Sequence, residues 1–159
     1  MRKLSIAEKA YVAGFLDGDG SVYVKLTKNK SYRYRYQVSS YIAFYQSQTN
    51  ERFLRDLRKK LRCGYLRNRN DGISEFIIGD EKSQLEIIKS ILPYSKLKKK
   101  QLKLMKKILE KKKKVKNATD FLKLCSLIDK YKKLNYSKKK IQITSEVEKI
   151  LKKEGLITP

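Results

Sequence analysis

Histidine is absent from all 159 residues. A chain without histidine cannot form a His-based zinc site, a Ser-His-Asp triad or a Cys-His pair. Any catalysis must therefore use carboxylates, amides, lysines and water. Such groups suit a hard divalent cation, which binds oxygen ligands and can activate water.

Cysteines and long apolar runs are equally scarce. Cys63 and Cys125 lie in apolar contexts, and their spacing matches neither a metal motif nor a disulfide framework. Both are expected to be small core residues. No stretch approaches the roughly 20 apolar residues of a membrane-spanning helix, and no secretory signal is recognisable. These absences predict an intracellular protein with no membrane partner.

Acidic residues are few, because 16 Asp and Glu stand against 40 Lys and Arg, for a formal net charge of +24. The surface must therefore be strongly positive, which predicts a polyanionic partner. Nucleic acid, an anionic membrane and an acidic protein all satisfy this charge. The length suits one substantial core and is too short for two ordinary domains, so one domain over residues 1–159 is expected.

Apolar periodicity predicts an α+β chain in the order helix, hairpin, helix, hairpin, followed by further helices. A capping box at Ser5 opens the first helix, over about 6–17. The strands are expected at 21–28, 32–45, 64–69 and 73–78, and the second helix at 49–61. Later helices are expected at about 81–91, 93–114 and 117–134, with a short last helix opened by a capping box at Ser145.

Odd-numbered strand residues would share one face that can hydrogen-bond with DNA bases. Two hairpins of a twisted sheet can lie along a major groove, where each base pair shows a distinct pattern of donors and acceptors. Arginines can fork onto guanine, Gln37 can pair with adenine, and Glu75 can accept from cytosine or orient a neighbouring arginine. The arginines on this face are Arg33, Arg35, Arg67 and Arg69. The alternative is a strand face that is polar only because it meets water.

Residues 10–20 contain two further signals. Ala10, Gly14 and Gly18 lie four residues apart on one helix face, where missing side chains would let another helix approach closely. Asp19 follows at the helix end, where the macrodipole is negative and a carboxylate is unfavourable unless a cation binds. Asp19 is therefore a candidate metal ligand. The alternatives are a small-residue contact within the chain and an Asp-Gly turn that only stops the helix.

The residues that carry these signals are Tyr11-Val12-Ala13-Gly14-Phe15-Leu16-Asp17-Gly18-Asp19-Gly20. They resemble the LAGLIDADG motif, and the strand that follows at 21–23 continues the match. Over about residues 5–155 the chain resembles the single-motif, homodimeric homing endonucleases encoded in algal organelle introns. The resemblance implies an αββαββα core with extra C-terminal helices and a twisted antiparallel β-sheet saddle for DNA. It also implies a chloroplast or mitochondrial location if the chain is natural.

The resemblance assigns a catalytic centre residue by residue. Asp19 corresponds to the family's essential acid and metal ligand, and the carbonyl of Gly18 to an additional ligand. Gln46 matches a glutamine that orients solvent, and Lys98 matches a lysine near the scissile phosphate. In the family the motif helices of two subunits pack against each other. The residues expected at that dimer interface are Ala10, Ala13, Gly14, Asp17 and Gly18.

Asn50 departs from the family pattern, because relatives carry a basic residue at this position near the cleavage centre. Lys98 is expected to supply the missing cation, with slower chemistry. Arg52 is the alternative. Positions 50 and 52 are about 200° apart on a helix, so Arg52 would need a shifted helix start to substitute.

The resemblance also implies a set of DNA contacts. Residues 137–140 correspond to a C-terminal loop that touches the DNA backbone in relatives, whereas the lysines at 111–114 are expected to be a solvated helix end. The full expected set is Tyr23, Lys25, Thr27, Asn29, Ser31, Tyr32, Arg33, Arg35, Gln37, Ser39, Arg67, Arg69, Glu75, Ile77, Ser137, Lys138, Lys139 and Lys140. These positions transfer between relatives better than their base preferences do.

Together these features predict a homodimer that binds a long, nearly palindromic double-stranded DNA site. It would hydrolyse a phosphodiester in each strand and leave short 3′ overhangs. Mg²⁺ is the expected cofactor, Mn²⁺ is expected to substitute, and Ca²⁺ to bind without efficient cleavage; no small-molecule cofactor is expected. The alternatives are an RNA-binding intron maturase of the same fold and a non-catalytic basic nucleic-acid-binding protein. Retained Asp19, Gln46 and Lys98 argue against the first, and the motif helix argues against the second.

Overall fold

The computed structural model describes residues 3–134 and 143–157. Its helices are α1 (Ile6–Asp19), α2 (Glu51–Leu61), α3 (Glu81–Ile91), α4 (Lys99–Lys112), α5 (Ala118–Lys133) and α6 (Ile143–Lys153). Its strands are β1 (Gly20–Lys28), β2 (Tyr36–Ser47), β3 (Tyr65–Asn68) and β4 (Ile73–Ile78), and a 3-10 turn at Gln48–Asn50 precedes α2. Within the described ranges, no helix combines the length and apolarity that crossing a bilayer requires.

The four strands form one sheet in the order β1-β2-β4-β3. β4 pairs antiparallel with both β2 and β3, so Glu75 lies opposite Tyr45 on one side and opposite Arg67 on the other. Because side chains alternate along a strand, odd-numbered residues of these three strands share one face. On the other face Phe44 and Phe76 are fully buried, with ring centroids 5.7 Å apart. This arrangement confirms the expected α+β fold.

The first of two compact units contains residues up to Tyr23 together with 40–103. Its core is built from aromatic rings and aliphatic helix residues. Phe15 of α1 stacks on Phe44 with centroids 5.4 Å apart, and it meets Phe53 of α2 edge-on at 5.0 Å. Such ring pairs add to the stabilisation from buried apolar area. This core fixes the C-terminal end of α1 on the sheet.

The second compact unit contains residues 24–39 and the chain from 104 onward. Tyr34 stacks on Phe121 of α5 with centroids 4.7 Å apart. Cys125 and Tyr131 of the same helix are fully buried. Burial raises the pKa of Cys125 to about 12, so its thiol is neutral and packs as an apolar group. The expectation of one domain over the whole chain stays a prediction.

The starts of β2 and α4 differ most from the prediction. β2 begins at Tyr36 and not at residue 32, because residues 32–35 form a turn in which Arg35 adopts a φ of 60°. α4 begins at Lys99 and not near residue 93. The amides of Tyr94 and Ser95 both bond back to the carbonyl of Ile91, which continues the end of α3 as a turn.

The expected capping box at Ser145 is wrong. α6 begins at Ile143, so Ser145 lies inside the helix. Asp129 of α5 caps α6 from a distance, because its carboxylate accepts hydrogen bonds from the amides of Ile143 and Thr144 at 3.0 and 2.9 Å. The capping box at Ser5 is confirmed, with both of its hydrogen bonds present.

Candidate active site and nucleic-acid interface

Asp19 is the last residue of α1, and its side chain is exposed. The chain turns into β1 at Gly20, where a Cβ atom would lie 2.7 Å from the carbonyl oxygen of Leu16. Only glycine fits this close approach. Gly20 therefore lets the chain pass directly from Asp19, at the helix end, into β1. The last turn of α1 contains no basic residue of its own. A negative side chain there adds to the negative end of the helix dipole, so the position attracts a cation.

Gln46 lies beside Asp19. Its side-chain amide donates to Asp19 Oδ2 across 3.4 Å, and the amide of Asn50 donates to Gln46 Oε1 across 3.5 Å. These three groups line an open groove of about 630 Å³, together with Tyr11 and Arg52. Asn50 and Arg52 therefore reach the same groove, although a continuous helix would have separated them.

Lys98 is brought to the end of α1 by Asp17. The carboxylate of Asp17 accepts from the Ser95 hydroxyl at 2.7 Å and from the Lys98 amide at 3.0 Å. The Lys98 ammonium in turn donates to the Asp17 carbonyl at 2.6 Å. Burial raises the pKa of Asp17, but hydrogen bonds from the Lys96 amide, Ser95 and the Lys98 and Leu97 amides outweigh it and hold that pKa below its usual value.

The residues present fit a weakly held Mg²⁺ better than a closed metal cage. Among the described residues, no group of three or more Cys, Asp or Glu side chains could hold a metal ion. One exposed carboxylate at a helix end matches the way Mg²⁺ is often bound. Mg²⁺ commonly uses one or two carboxylates and completes its shell with water and phosphate oxygens. Asp19 and the Gly18 carbonyl are the groups that would hold it.

The exposed face of α1 only partly matches the expected dimer interface. Ala10, Gly14 and Gly18 are exposed, and a Cβ atom built on either glycine meets nothing within 4 Å. Ala13 is fully buried and Asp17 is 8% exposed. The prediction for these two residues therefore needs correction, because they are used inside the chain.

The odd face of β3 and β4 carries an ordered group of charges. Glu75 is buried, and it holds Arg67 through Nε at 2.6 Å and Arg69 through a longer contact at 3.6 Å. Arg69 also pairs with Asp71 in the turn. Glu75 therefore orients the two arginines and does not present its own oxygens to a partner. Ile77 is 5% exposed, so its expected contact with DNA lacks the surface it would need.

The loop between β1 and β2 also differs from the prediction. Arg33 and Arg35 do not alternate with tyrosines along a strand, because both lie in the turn. Arg33 donates to the Lys116 carbonyl at 3.3 Å, and the guanidinium of Arg35 pairs with Glu154 at 3.2 Å. Each guanidinium group thus has a hydrogen-bond partner within the second unit.

Other expected DNA contacts have accessible side chains. Asn29 and Gln37 are joined by a hydrogen bond of 3.1 Å, with Ser31 bonded to Asn29 in the same loop. The remaining expected residues that are exposed or half-buried are Tyr23, Lys25, Thr27, Tyr32 and Ser39. Ser137, Lys138, Lys139 and Lys140 lie outside the described residues.

Tyrosines are the candidates that the sequence reasoning missed. Tyr41 stacks on Tyr23 with centroids 4.4 Å apart. Tyr45 lies opposite Glu75, and Tyr65 is 51% exposed. Tyr23 already belonged to the expected set. Tyr41, Tyr45 and Tyr65 also have odd numbers, so the same alternation that selected the arginines could have selected these three.

Comparison with known proteins agrees with this geometry. Residues 12–109 match the family described as LAGLIDADG endonuclease. The chain is 35% identical over 146 residues to the DNA endonuclease I-CvuI of Chlorella vulgaris, a match covering 92% of this chain and 91% of that protein. It is 34% identical over 144 residues to the DNA endonuclease I-CreI of Chlamydomonas reinhardtii, which covers 89% and 86% respectively.

The chain belongs to the LAGLIDADG endonuclease family. Crystal structures of I-CvuI share its fold. One contains the I-CreI DNA target with 2 mM Mg and DNA that is not cleaved; it superposes with a TM-score of 0.88 at 34% identity, over 96% of this chain and 97% of that one. Another contains the target of I-CvuI with 2 mM Ca and gives a TM-score of 0.87. The expected LAGLIDADG fold is thereby confirmed.

Proposed function

We propose that this chain is a site-specific homing endonuclease. It binds a long, pseudo-palindromic double-stranded DNA site and hydrolyses one phosphodiester in each strand, leaving short 3′ overhangs. The observation that carries this proposal is that two side chains contact the C-terminal end of α1, Gln46 at the Asp19 carboxylate and Lys98 at the Asp17 carbonyl. The relatives I-CvuI and I-CreI are DNA endonucleases, and I-CvuI binds DNA targets in its crystal structures.

Each residue of this centre has a separate task. Asp19 and the Gly18 carbonyl hold a divalent cation, and Gln46 orients the Asp19 carboxylate and nearby solvent through its amide. Lys98 places a positive charge where the phosphate gains negative charge. When bound, the cation lowers the pKa of a water molecule and neutralises phosphate oxygens. Little covalent chemistry is left for protein side chains, which agrees with a chain that lacks histidine.

The cation that we propose is Mg²⁺, with Mn²⁺ able to substitute. Ca²⁺ binds the same carboxylate and supports DNA binding without efficient cleavage. The structures of I-CvuI with DNA and either Mg or Ca support a divalent cation in this family.

Two copies of the chain form the active enzyme in this proposal. Along α1, Ile6 and Tyr11 are 71% and 58% exposed, and Gly14 and Gly18, which follow them in the helix, are exposed as well. A glycine in a helix costs roughly 1 kcal/mol relative to alanine. Among the described residues of the subunit, no neighbouring atom requires glycine at either position, so close packing against a second α1 is the reason we infer. Two Asp19 residues would then meet at one axis and serve both strands.

DNA specificity comes from the odd faces of the strands. Arg67 and Arg69, held by Glu75, present guanidinium groups that can read guanine, and the nearby tyrosines offer hydroxyls and apolar ring surface. The large positive charge supplies phosphate contacts that position the duplex without specifying its sequence. Within the cell we propose an organellar location, as expected for an intron-encoded member.

An experiment with a randomised duplex library and Mg²⁺ tests this function. Selection of cleaved duplexes should return one nearly palindromic sequence. Asp19→Asn should abolish cleavage and leave specific binding intact, because metal binding is lost while the strand faces remain. Glu110→Gln is the matched control, since it also removes one exposed carboxylate, here one paired with Lys106 on α4. Equal cleavage by Asp19→Asn and the parent would contradict the assignment, whereas binding without any cleavage by the parent would favour a maturase or a non-catalytic binder.

A further inference from the structure

Asp17 is the buried carboxylate at the end of α1, and none of its oxygens faces solvent freely. Oδ1 accepts from the Ser95 hydroxyl and the Lys98 amide, and Oδ2 accepts from the Lys96 and Leu97 amides at 2.5 and 3.1 Å. Four donors therefore converge on two oxygens. Three of them are consecutive backbone amides immediately before α4, where the helix dipole favours a negative charge. Asp17 thus holds the segment that leads into α4 from a position about eighty residues earlier in the chain.

The contact is reciprocal. While the Asp17 carboxylate holds the backbone of Lys98, the Lys98 ammonium donates to the Asp17 carbonyl at 2.6 Å. α1 has no basic residue in its own last turn, so Lys98 supplies the cation that its C-terminal carbonyls favour. Lys98 is thereby held at its backbone amide and at its side-chain ammonium. Both groups bond to Asp17, which lies two residues before Asp19 in α1.

We propose that Asp17 is a positioning residue for DNA cleavage, which holds Lys98 at the C-terminal end of α1 by fixing the backbone at 96–98. This inference rests on the proposed endonuclease function. It gives Asp17 a task that differs from the dimer contact expected from the sequence. Asp17 acts through Lys98 and touches neither DNA nor the cation itself.

Asp17→Asn tests the idea with almost no change in size. An asparagine offers one acceptor oxygen and one donor amide, so the amide would face two of the four donors. The segment at 96–98 should then shift, and the Lys98 ammonium with it. We expect the single-turnover cleavage rate with Mg²⁺ to fall roughly 10- to 100-fold, as misplacement of a catalytic group does. The dissociation constant for the selected DNA, measured with Ca²⁺, should change by less than about two-fold.

A double-mutant cycle with Lys98→Met separates positioning from a general structural role. Lys98→Met keeps the apolar stem and removes the ammonium. If Asp17 acts through Lys98, Asp17→Asn should add little to the loss of cleavage that Lys98→Met already causes. If the fold-loss of cleavage rate in the double variant equalled the product of the two single fold-losses, the proposal would be overturned. Gln84→Met is the control for lost stability, because Gln84 is also buried and bonds the carbonyls of Ser40, Ile78 and Gly79; it should lower the unfolding temperature without altering the cycle.

Hydrogen exchange provides a readout that does not depend on cleavage. In the DNA-free parent, the amides of Lys96, Leu97 and Lys98 should exchange slowly, and in Asp17→Asn they should exchange much faster while the core of α4 stays protected. Fast exchange in the parent would overturn the proposed geometry. A parent that cleaves no duplex from the library would contradict the proposed function, and the positioning role with it. A parent that cleaves, but with multiplied losses in the cycle, would contradict the positioning role alone.

Discussion

Asn50 occupies the N-cap of α2, where its amide lies 3.5 Å from Gln46 in the groove that also contains Asp19. The family resemblance implies a basic residue at this position in relatives. Lys98 is one source of replacement charge, and Arg52 is another because it lines the same groove. The sequence allowed Arg52 to substitute only if the helix start were shifted, because positions 50 and 52 are about 200° apart on one helix. α2 begins at Glu51 and Asn50 ends the 3-10 turn, so this condition is met, and the contribution of Arg52 stays a prediction.

Asn50→Arg should raise the single-turnover cleavage rate several-fold with little change in target preference. A cation near the phosphate stabilises developing charge that the bases do not sense. Arg52→Gln distinguishes the two sources of charge: if Arg52 serves the centre, this variant is slow and adding Asn50→Arg restores its rate. An unchanged rate in Asn50→Arg, with binding intact, would mean that the centre already has its cation.

Arg67 is an expected DNA-contact residue whose guanidinium the structure holds in a defined position. Its guanidinium is fixed by the buried carboxylate of Glu75, so little side-chain entropy remains to be lost on binding. Arg67→Ala should cost about 1–3 kcal/mol of discrimination at one base pair. Arg67→Lys should lose most of the same discrimination, because an ammonium cannot reproduce a bidentate fork.

Binding of duplexes that carry single base changes measures this discrimination. Lys59→Ala is the control, since Lys59 is a strongly exposed cation on α2 whose loss should not alter base preference. An Arg67→Ala variant that weakened binding to every duplex equally would show that this arginine contacts phosphate instead.

At the scale of elements, the sequence predicted those parts of the fold whose signals are local. The capping box at Ser5, the turn before β4 and the helical spacing of α2 and α3 all lie within a few residues of what they specify. The alternation of Tyr32, Tyr34 and Tyr36 also looked like a strand. A positive φ at Arg35 breaks it, and residue type alone does not reveal that backbone conformation.

Long-range hydrogen bonds explain the helix starts that the sequence missed. The amides before α4 bond to Asp17, and those at the start of α6 bond to Asp129. Neither partner is near in sequence, so local capping rules selected Pro93 and Ser145 instead. The same limit applies to the site. Resemblance located Asp19, Gln46 and Lys98, whereas the inward direction of Asp17 depends on the folded chain.

The cap on α6 supports a prediction at this scale. Asp129→Ala should cost about 0.5–2 kcal/mol of stability, as loss of an N-cap does, and should loosen the first turn of α6. Hydrogen exchange of residues 143–147 and urea unfolding measure the two effects. Glu148→Gln is the control, because Glu148 forms an exposed ion pair with Lys152 on the same helix and its loss should cost well under 1 kcal/mol. Equal losses from both variants would show that Asp129 does not cap the helix.

For the protein as a whole, the net charge and the number of Asp19 carboxylates limit which DNA reactions one chain can carry out alone. A net charge of +24 makes binding to DNA strong at low salt and steeply weaker as salt rises. Positive charge attracts a DNA duplex of any sequence. Cleavage at one specific site therefore also needs the ordered Arg67 and Arg69 and a complete catalytic centre around Asp19. A single chain contributes one Asp19, whereas two strands must be cut.

Substitutions at Gly14 test whether the active form of the chain is a monomer or a dimer. In an isolated subunit, Gly14→Ala should stabilise α1 by roughly 1 kcal/mol, because alanine is the better helix former and its Cβ meets nothing within 4 Å. If α1 packs closely against a second α1, the same methyl group pushes two backbones apart, and Gly14→Leu pushes them further. We therefore expect Gly14→Ala to weaken the dimer, and Gly14→Leu to sediment as a monomer that remains folded but does not cut.

Ile6→Leu, also on an exposed part of α1 but with apolar volume conserved, should leave assembly unchanged. A Gly14→Leu variant that sediments as a dimer and cleaves at the parent's rate would show that subunits meet through another surface, and the bare glycines of α1 would then need a different explanation.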